Sequence, residues 1–123
     1  MKKILVILIL FIQFPANAAD KYTNFSLSGL EKTKASGKTI VVNSYEPWCW
    51  SCRKQDKVLI DAKDEFKDVV FLTYQQGKHK DIAEALKVSV RTTIVVFKGE
   101  KEVARIIGQT GKPEIYSAIK KGI

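Results

Sequence analysis

The sequence predicts an α/β domain in which a mixed central sheet, parallel strands plus an antiparallel C-terminal hairpin, carries helices on both faces. Three observations predict it. Stretches with helical spacing of apolar residues alternate with short β-branched runs, and the last two such runs are separated only by a tight turn. One β-branched run leads without a break into Cys49-Trp50-Ser51-Cys52 and then into an amphipathic stretch. The order reads α-β-α-β-α-β-β-α, in which early strands joined through helices imply parallel pairing and the late hairpin an antiparallel edge.

The first helix is expected between Asn24 and Gly37, with Ser28-x-x-Glu31 as a capping box and Gly37 as the C-terminal stop. Thr39-Ile40-Val41-Val42-Asn43-Ser44-Tyr45 is β-branched and apolar with no helical period, the pattern of a central strand buried on both faces. From Cys52 onward Val58, Leu59, Ala62 and Phe66 recur at helical spacing on an otherwise charged segment, so an amphipathic helix begins at the cysteine motif. Val69-Val70-Phe71-Leu72-Thr73-Tyr74 reads as a second buried strand, and Asp81 as the cap of a helix running through Leu86. Thr93-Ile94-Val95-Val96-Phe97 and Glu102-Val103-Ala104-Arg105-Ile106-Ile107 form the hairpin around Lys98-Gly99-Glu100. Lys112-Pro113-Glu114 opens the last helix, with proline in the first turn where its missing N–H costs nothing.

The chain opens with Met1-Lys2-Lys3, an apolar run from Ile4 to Ile12, and Pro15-Ala16-Asn17-Ala18-Ala19, the order of a secretory signal peptide. The run is shorter than the ~20 residues of a settled membrane span. Residues 1–19 are therefore expected to be cleaved, with an uncleaved membrane anchor as the alternative; both put the folded part in the periplasm or otherwise outside the cytoplasm. Removing them from the 123 residues leaves 104, one domain over 20–123, and takes the formal charge from +8 to +6. Lysines interleaved with acids make a solvated surface, and no basic helix with interleaved aromatics is present, which argues against nucleic-acid binding. His79 is the only histidine and is expected in an exposed loop.

Two cysteines in an exported domain would usually suggest a structural staple. A bridge across only two residues, however, closes so small a loop that it restrains the unfolded chain little. A zinc ribbon would need a second ligand pair, and the sequence offers only His79. The spacing suits redox chemistry.

The span Pro47-Trp48-Cys49-Trp50-Ser51-Cys52-Arg53 at a strand-to-helix junction, the element order, and the later hairpin from Thr93 to Gly99 together resemble the thioredoxin family over essentially all of residues 20–123. The resemblance implies the thioredoxin fold and a thiol:disulfide oxidoreductase whose only redox group is the Cys49–Cys52 disulfide, with no other cofactor and no metal. At the start of a helix, unpaired N–H groups and the helix dipole favour a thiolate, so Cys49 is expected to ionise more readily than a free thiol and to act as nucleophile. Cys52, shielded in the first turn, resolves the mixed disulfide. The family pattern has Trp48 framing an exposed Cys49 sulfur. Trp50 and Ser51 sit between the sulfurs, where they tune the pair, and Trp50 is expected on the rim as a contact residue.

The sequence departs from the family at three positions. Asn43 stands where cytoplasmic thioredoxins carry a buried Asp that assists the resolving cysteine, and an Asn exchanges no proton there. In this it resembles exported thioredoxins of the cytochrome-maturation and membrane-tethered reductase group. Thr92, between Arg91 and Thr93, stands at the usual cis-proline. Since a cis bond before a non-proline costs roughly 2.5–4 kcal/mol, a trans Arg91-Thr92 bond and a reshaped docking loop are expected. Lys57 replaces a kinking proline, which predicts a straighter helix.

The expected function is reduction of disulfides in exported proteins by a monomer recharged from a membrane thiol carrier, with Trp48, Trp50, Ser51, Arg91 and Thr92 contacting substrate. Two alternatives stay open: an oxidase or isomerase run from the disulfide state, and a non-catalytic module that grips a partner, a metal or an iron-sulfur cluster through Cys49 and Cys52.

Overall fold

The computed structural model describes residues 25–123; the segment read as a signal peptide, residues 1–19, lies outside them. Strand β1, Thr39–Tyr45, forms the interior of the sheet, its β-branched residues buried on both faces as a strand covered on two sides requires. It pairs in parallel with β2, Val70–Gln75, and antiparallel with β3, Thr93–Lys98, which in turn pairs antiparallel with β4, Lys101–Ile107. The sheet order is β2-β1-β3-β4. Parallel pairing is thus confined to β1 and β2, and β2 is an edge strand whose first two residues are half-buried rather than fully buried.

Helices α1, Leu27–Ala35, and α3, Lys80–Leu86, cover one face, where Leu30, Ile82 and Leu86 pack on Ile40, Val42, Val95 and Phe97. Helices α2, Trp50–Glu65, and α4, Lys112–Lys120, cover the other, where Leu59, Ala62, Ile115 and Ile119 pack on Val41, Ile94 and Val96. The alternation of β1 side chains between these two cores is the period-two geometry of a strand. Among the described residues no helix is long and apolar enough to cross a membrane.

Two helix starts differ from the sequence reading. Ser26, not Ser28, caps α1, its hydroxyl accepting from the Gly29 N–H at 3.1 Å. The extended backbone at Ser26 lets its oxygen turn back onto the first turn, whereas Ser28 already lies inside the helix. Helix α3 begins after His79, which is half-buried at the cap rather than in an exposed loop, and Asp81 lies in the first turn, where its charge complements the dipole without a capping bond.

The shortness of α3 decides the position of the site. Its seven residues span about 10 Å, too little to carry the chain back along the sheet. Strand β3 therefore begins at the end of the sheet where β2 finished, with Thr93 beside Ser44, and returns antiparallel. That end is also where β1 runs into the cysteines, so the loop before β3 meets them.

Candidate active site

Strand β1 delivers Cys49 to the N-cap of α2. Its backbone is extended (φ −87°, ψ 114°) and its Sγ accepts from the Cys52 N–H at 3.2 Å, the position at which Ser or Asp commonly caps a helix. The cap therefore satisfies one of the unpaired donors of the helix start with the sulfur itself, and the same donor favours negative charge on that sulfur. Cys52 lies in the first turn, and the two are joined as a disulfide with Cα atoms 5.2 Å apart. Helix α2 then runs uninterrupted for 16 residues past Lys57, without a proline to kink it.

Thr92 closes the site from the other side. The described residues contain no cis peptide; the Arg91-Thr92 bond is trans, and Thr92 adopts φ 64°, a left-handed conformation uncommon for a β-branched residue. Three backbone bonds hold it there. The Thr92 N–H donates to the Ser44 carbonyl at 2.9 Å, and its own carbonyl accepts from the Gly108 N–H at 2.8 Å and from Gln55 Nε2 at 3.2 Å. The hydroxyl then stands 3.3 Å from Cys49 Sγ, 3.3 Å from Cys52 Sγ and 2.8 Å from Ser51 Oγ. Ser51 Oγ is itself 3.4 Å from Cys49 Sγ.

Around this buried centre lies a basic, aromatic rim. Trp48 and Trp50 are 67% and 72% exposed. The Arg91 guanidinium lies 4.3 Å from the centre of the Trp48 ring, and Lys54 Nζ 5.6 Å from that of Trp50, within the range of cation–π attraction. Arg53 turns its guanidinium to the Pro47 carbonyl at 3.4 Å. Glu46, the nearest acid in sequence, is held away by the Gly77 N–H at 2.6 Å and Gln75 Nε2 at 3.1 Å.

The structure thus gathers Trp48, Cys49, Trp50, Ser51, Cys52, Arg91 and Thr92 at one end of the sheet. It corrects one expectation about them. The Cys49 sulfur is not exposed while the disulfide is closed: Cys49 is 2% exposed and Cys52 5%, because Thr92 lies over both. The two sulfurs differ by position, one capping the helix and one inside it.

Sequence reasoning missed Gln55. It is fully buried, and its Nε2 donates both to the Thr92 carbonyl and to the Gln109 carbonyl at 2.9 Å, tying α2 to the loop before β3 and the loop after β4. Its polarity hid it, but its place three residues after Cys52 and four before Leu59 lies on the buried stripe of the helix. Asn43 is buried on β1, its Oδ1 accepting from the Thr73 hydroxyl at 2.5 Å. Among the described residues no three His, Cys, Asp or Glu cluster as metal ligands. A surface depression of about 680 Å³ between Gly37, Thr39, Phe66 and Val70 lies at the far end of β1 from the dithiol.

A dithiol pair that closes into a disulfide at a helix start, with a hydroxyl on both sulfurs, can cycle by thiolate attack through a mixed disulfide. Position and chemistry together define a thiol:disulfide oxidoreductase. Residues 21–121 match the family model described as Thioredoxin. The chain is 34% identical over 90 residues to a thioredoxin of Mycoplasma genitalium, covering 73% of this chain and 88% of that protein. It is 30% identical over 84 residues to thioredoxin-2 of Saccharomyces cerevisiae, covering 68% and 81%. The thioredoxin of Fasciola hepatica superposes with a TM-score of 0.71 at 26% identity, over 78% of this chain and 93% of that one. Oxidised mitochondrial thioredoxin 3 of Saccharomyces cerevisiae superposes at 0.74 and 22% identity, over 82% and 95%. The chain belongs to the thioredoxin family.

Proposed function

We propose that this oxidoreductase works as an exported reductant, released by cleavage of residues 1–19 and acting as a monomer over residues 20–123 in the periplasm. The observation that carries the reading of its site is the Cys49 sulfur at the N-cap of α2, bonded to the Cys52 N–H. On reduction that sulfur is left facing the helix start as a thiolate. Cys49 attacks a disulfide in an oxidised exported protein, forming a mixed disulfide and expelling one thiolate; Cys52 then attacks Cys49, expelling the second and regenerating the closed pair. Trp48, Trp50, Ser51 and Arg91 contact the substrate chain, with the backbone before Thr92 offering it a short strand partner. No flavin or nicotinamide motif occurs in the sequence, so electrons come from a membrane thiol carrier.

The support for export is the leader-like order of residues 1–19, and the support for reduction is the likeness to exported reductases at Asn43. A redox titration against glutathione tests the direction. A potential near that of thioredoxin, about −270 mV, is expected; one near the about −120 mV of strong oxidases would overturn the reductant reading. Export is tested by fusing residues 1–24 to a reporter that folds only outside the cytoplasm.

A further inference from the structure

We propose that Thr92 and Ser51 form a hydroxyl relay that carries the proton of Cys52 to solvent and back, replacing the acid/base group that Asn43 does not supply. The inference deepens the disulfide-exchange reading and holds for either direction of flow. Cys52 is buried in the first turn of α2, and its thiol must lose a proton before it attacks. The polar side chain placed against it is Thr92, with Oγ1 3.3 Å from its Sγ. Ser51 Oγ, 2.8 Å further on, belongs to a half-exposed residue and so opens the path to water. Asn43 is bonded to Thr73 and has no ionisable proton at neutral pH.

The step balances. In the mixed disulfide, Thr92 Oγ1 accepts the Cys52 proton as its own hydroxyl proton passes to Ser51 Oγ, whose proton passes to water; no charged hydroxyl forms. The Cys52 thiolate then attacks Cys49 Sγ, the bond between Cys49 and the substrate sulfur breaks, and the electron pair leaves on the substrate thiolate. Reversal returns the proton by the same path. Thr92 can serve both sulfurs because its three backbone bonds and left-handed φ hold the hydroxyl equidistant from them. It touches the reacting atoms and is a catalytic residue in that sense.

Stopped-flow reaction of the reduced protein with the chromogenic disulfide dithiobis-nitrobenzoate separates the two steps. The first nitrothiolate leaves on attack by Cys49, the second on attack by Cys52. Thr92→Val, which keeps the shape and removes the hydroxyl, is expected to slow the second phase about 10- to 100-fold and by more than it slows the first. The second phase in Thr92→Val is expected to rise steeply with pH and to lose the solvent deuterium isotope effect of the wild type. Thr92→Ser restores both, and Ser51→Ala gives a smaller slowing because water can take its place. An unchanged second phase in Thr92→Val, or equal slowing in Thr92→Val and Thr92→Ser, would overturn the relay. Release of no nitrothiolate by the wild type would instead sink the oxidoreductase reading on which the relay rests.

Discussion

The Gln55 side-chain amide ties the Thr92 carbonyl, at 3.2 Å, to the Gln109 carbonyl, at 2.9 Å, from a fully buried position behind the cysteines. One side chain of α2 therefore ties both the loop before β3 and the loop after β4 to that helix. Replacing Gln55 by Leu keeps the volume and removes both bonds. The Gln55 Oε1, which has no hydrogen-bond partner, is lost as well, and that offsets part of the damage. A net loss of about 1–2 kcal/mol is expected from denaturant unfolding, with faster amide exchange at Gly108 and Thr92 than in the wild type.

Thr92→Gly separates backbone strain from chemistry. Glycine adopts φ 64° freely, which favours the variant, while the lost hydroxyl and methyl contacts disfavour it. The melting transition is expected to move by no more than about 1 kcal/mol equivalent, while the second step of disulfide exchange slows as in the valine variant. A large loss of stability would show that the side chain of Thr92, rather than its backbone bonds, holds the loop.

Arg91 places positive charge on Trp48 at the edge of the dithiol, with Lys54 on Trp50 opposite. Disulfide peptides with acidic residues beside the cysteine are expected to react faster than basic ones, and the preference to shrink as salt rises. Arg91→Gln is expected to lower kcat/KM for the acidic peptide about 2- to 5-fold, the scale of an exposed cation–π contact, and to spare the neutral one. Equal reaction of acidic and basic peptides would contradict the assignment.

Arg105 on β4 bonds the Leu86 and Lys87 carbonyls at 2.6 and 3.1 Å, closing the C-terminus of α3, and pairs with Glu102 at 2.7 Å. Arg105→Met is expected to cost about 1–2 kcal/mol, mainly through the uncapped helix end. The Glu102 carboxyl is held below its usual range chiefly by its hydrogen bond from Arg105; burial opposes this, and the charges of Arg105, Lys34 and Lys87 add smaller lowering effects. A depressed carboxyl stabilises the fold above its unfolded value and loses that stabilisation as pH falls through the folded one. Because the pair is partly exposed, Glu102→Gln is expected to cost under about 1 kcal/mol near pH 7 and nothing well below pH 4. Paired thermal melts at the two pH values check the sign.

Much of this was legible in the sequence. The β-branched run of β1 and the apolar stripe of α2 carry strong periodic signals, and they meet at the cysteines, so the site's location followed from pattern alone. The proline missing at position 92 pointed to a trans bond, which the structure has. The left-handed φ of Thr92 was not legible, since it is set by bonds to Ser44, Gly108 and Gln55 from three other parts of the chain. Gln55 was overlooked because a polar residue in a charged segment reads as solvated, although its spacing from Cys52 and Leu59 put it on the buried face. The choice of Ser26 over Ser28 and the edge position of β2 depend on backbone angle and strand order, which local sequence does not encode.

Cys49 attacks and Cys52 resolves, and intact-mass measurement of reduced Cys52→Ser and Cys49→Ser after mixing with an oxidised peptide disulfide distinguishes the two roles. A stable one-to-one mixed disulfide on Cys49 is expected in Cys52→Ser, and no rapid adduct in Cys49→Ser. A Cys49→Ser protein that traps the peptide as fast as Cys52→Ser, or that still turns it over, would contradict these roles.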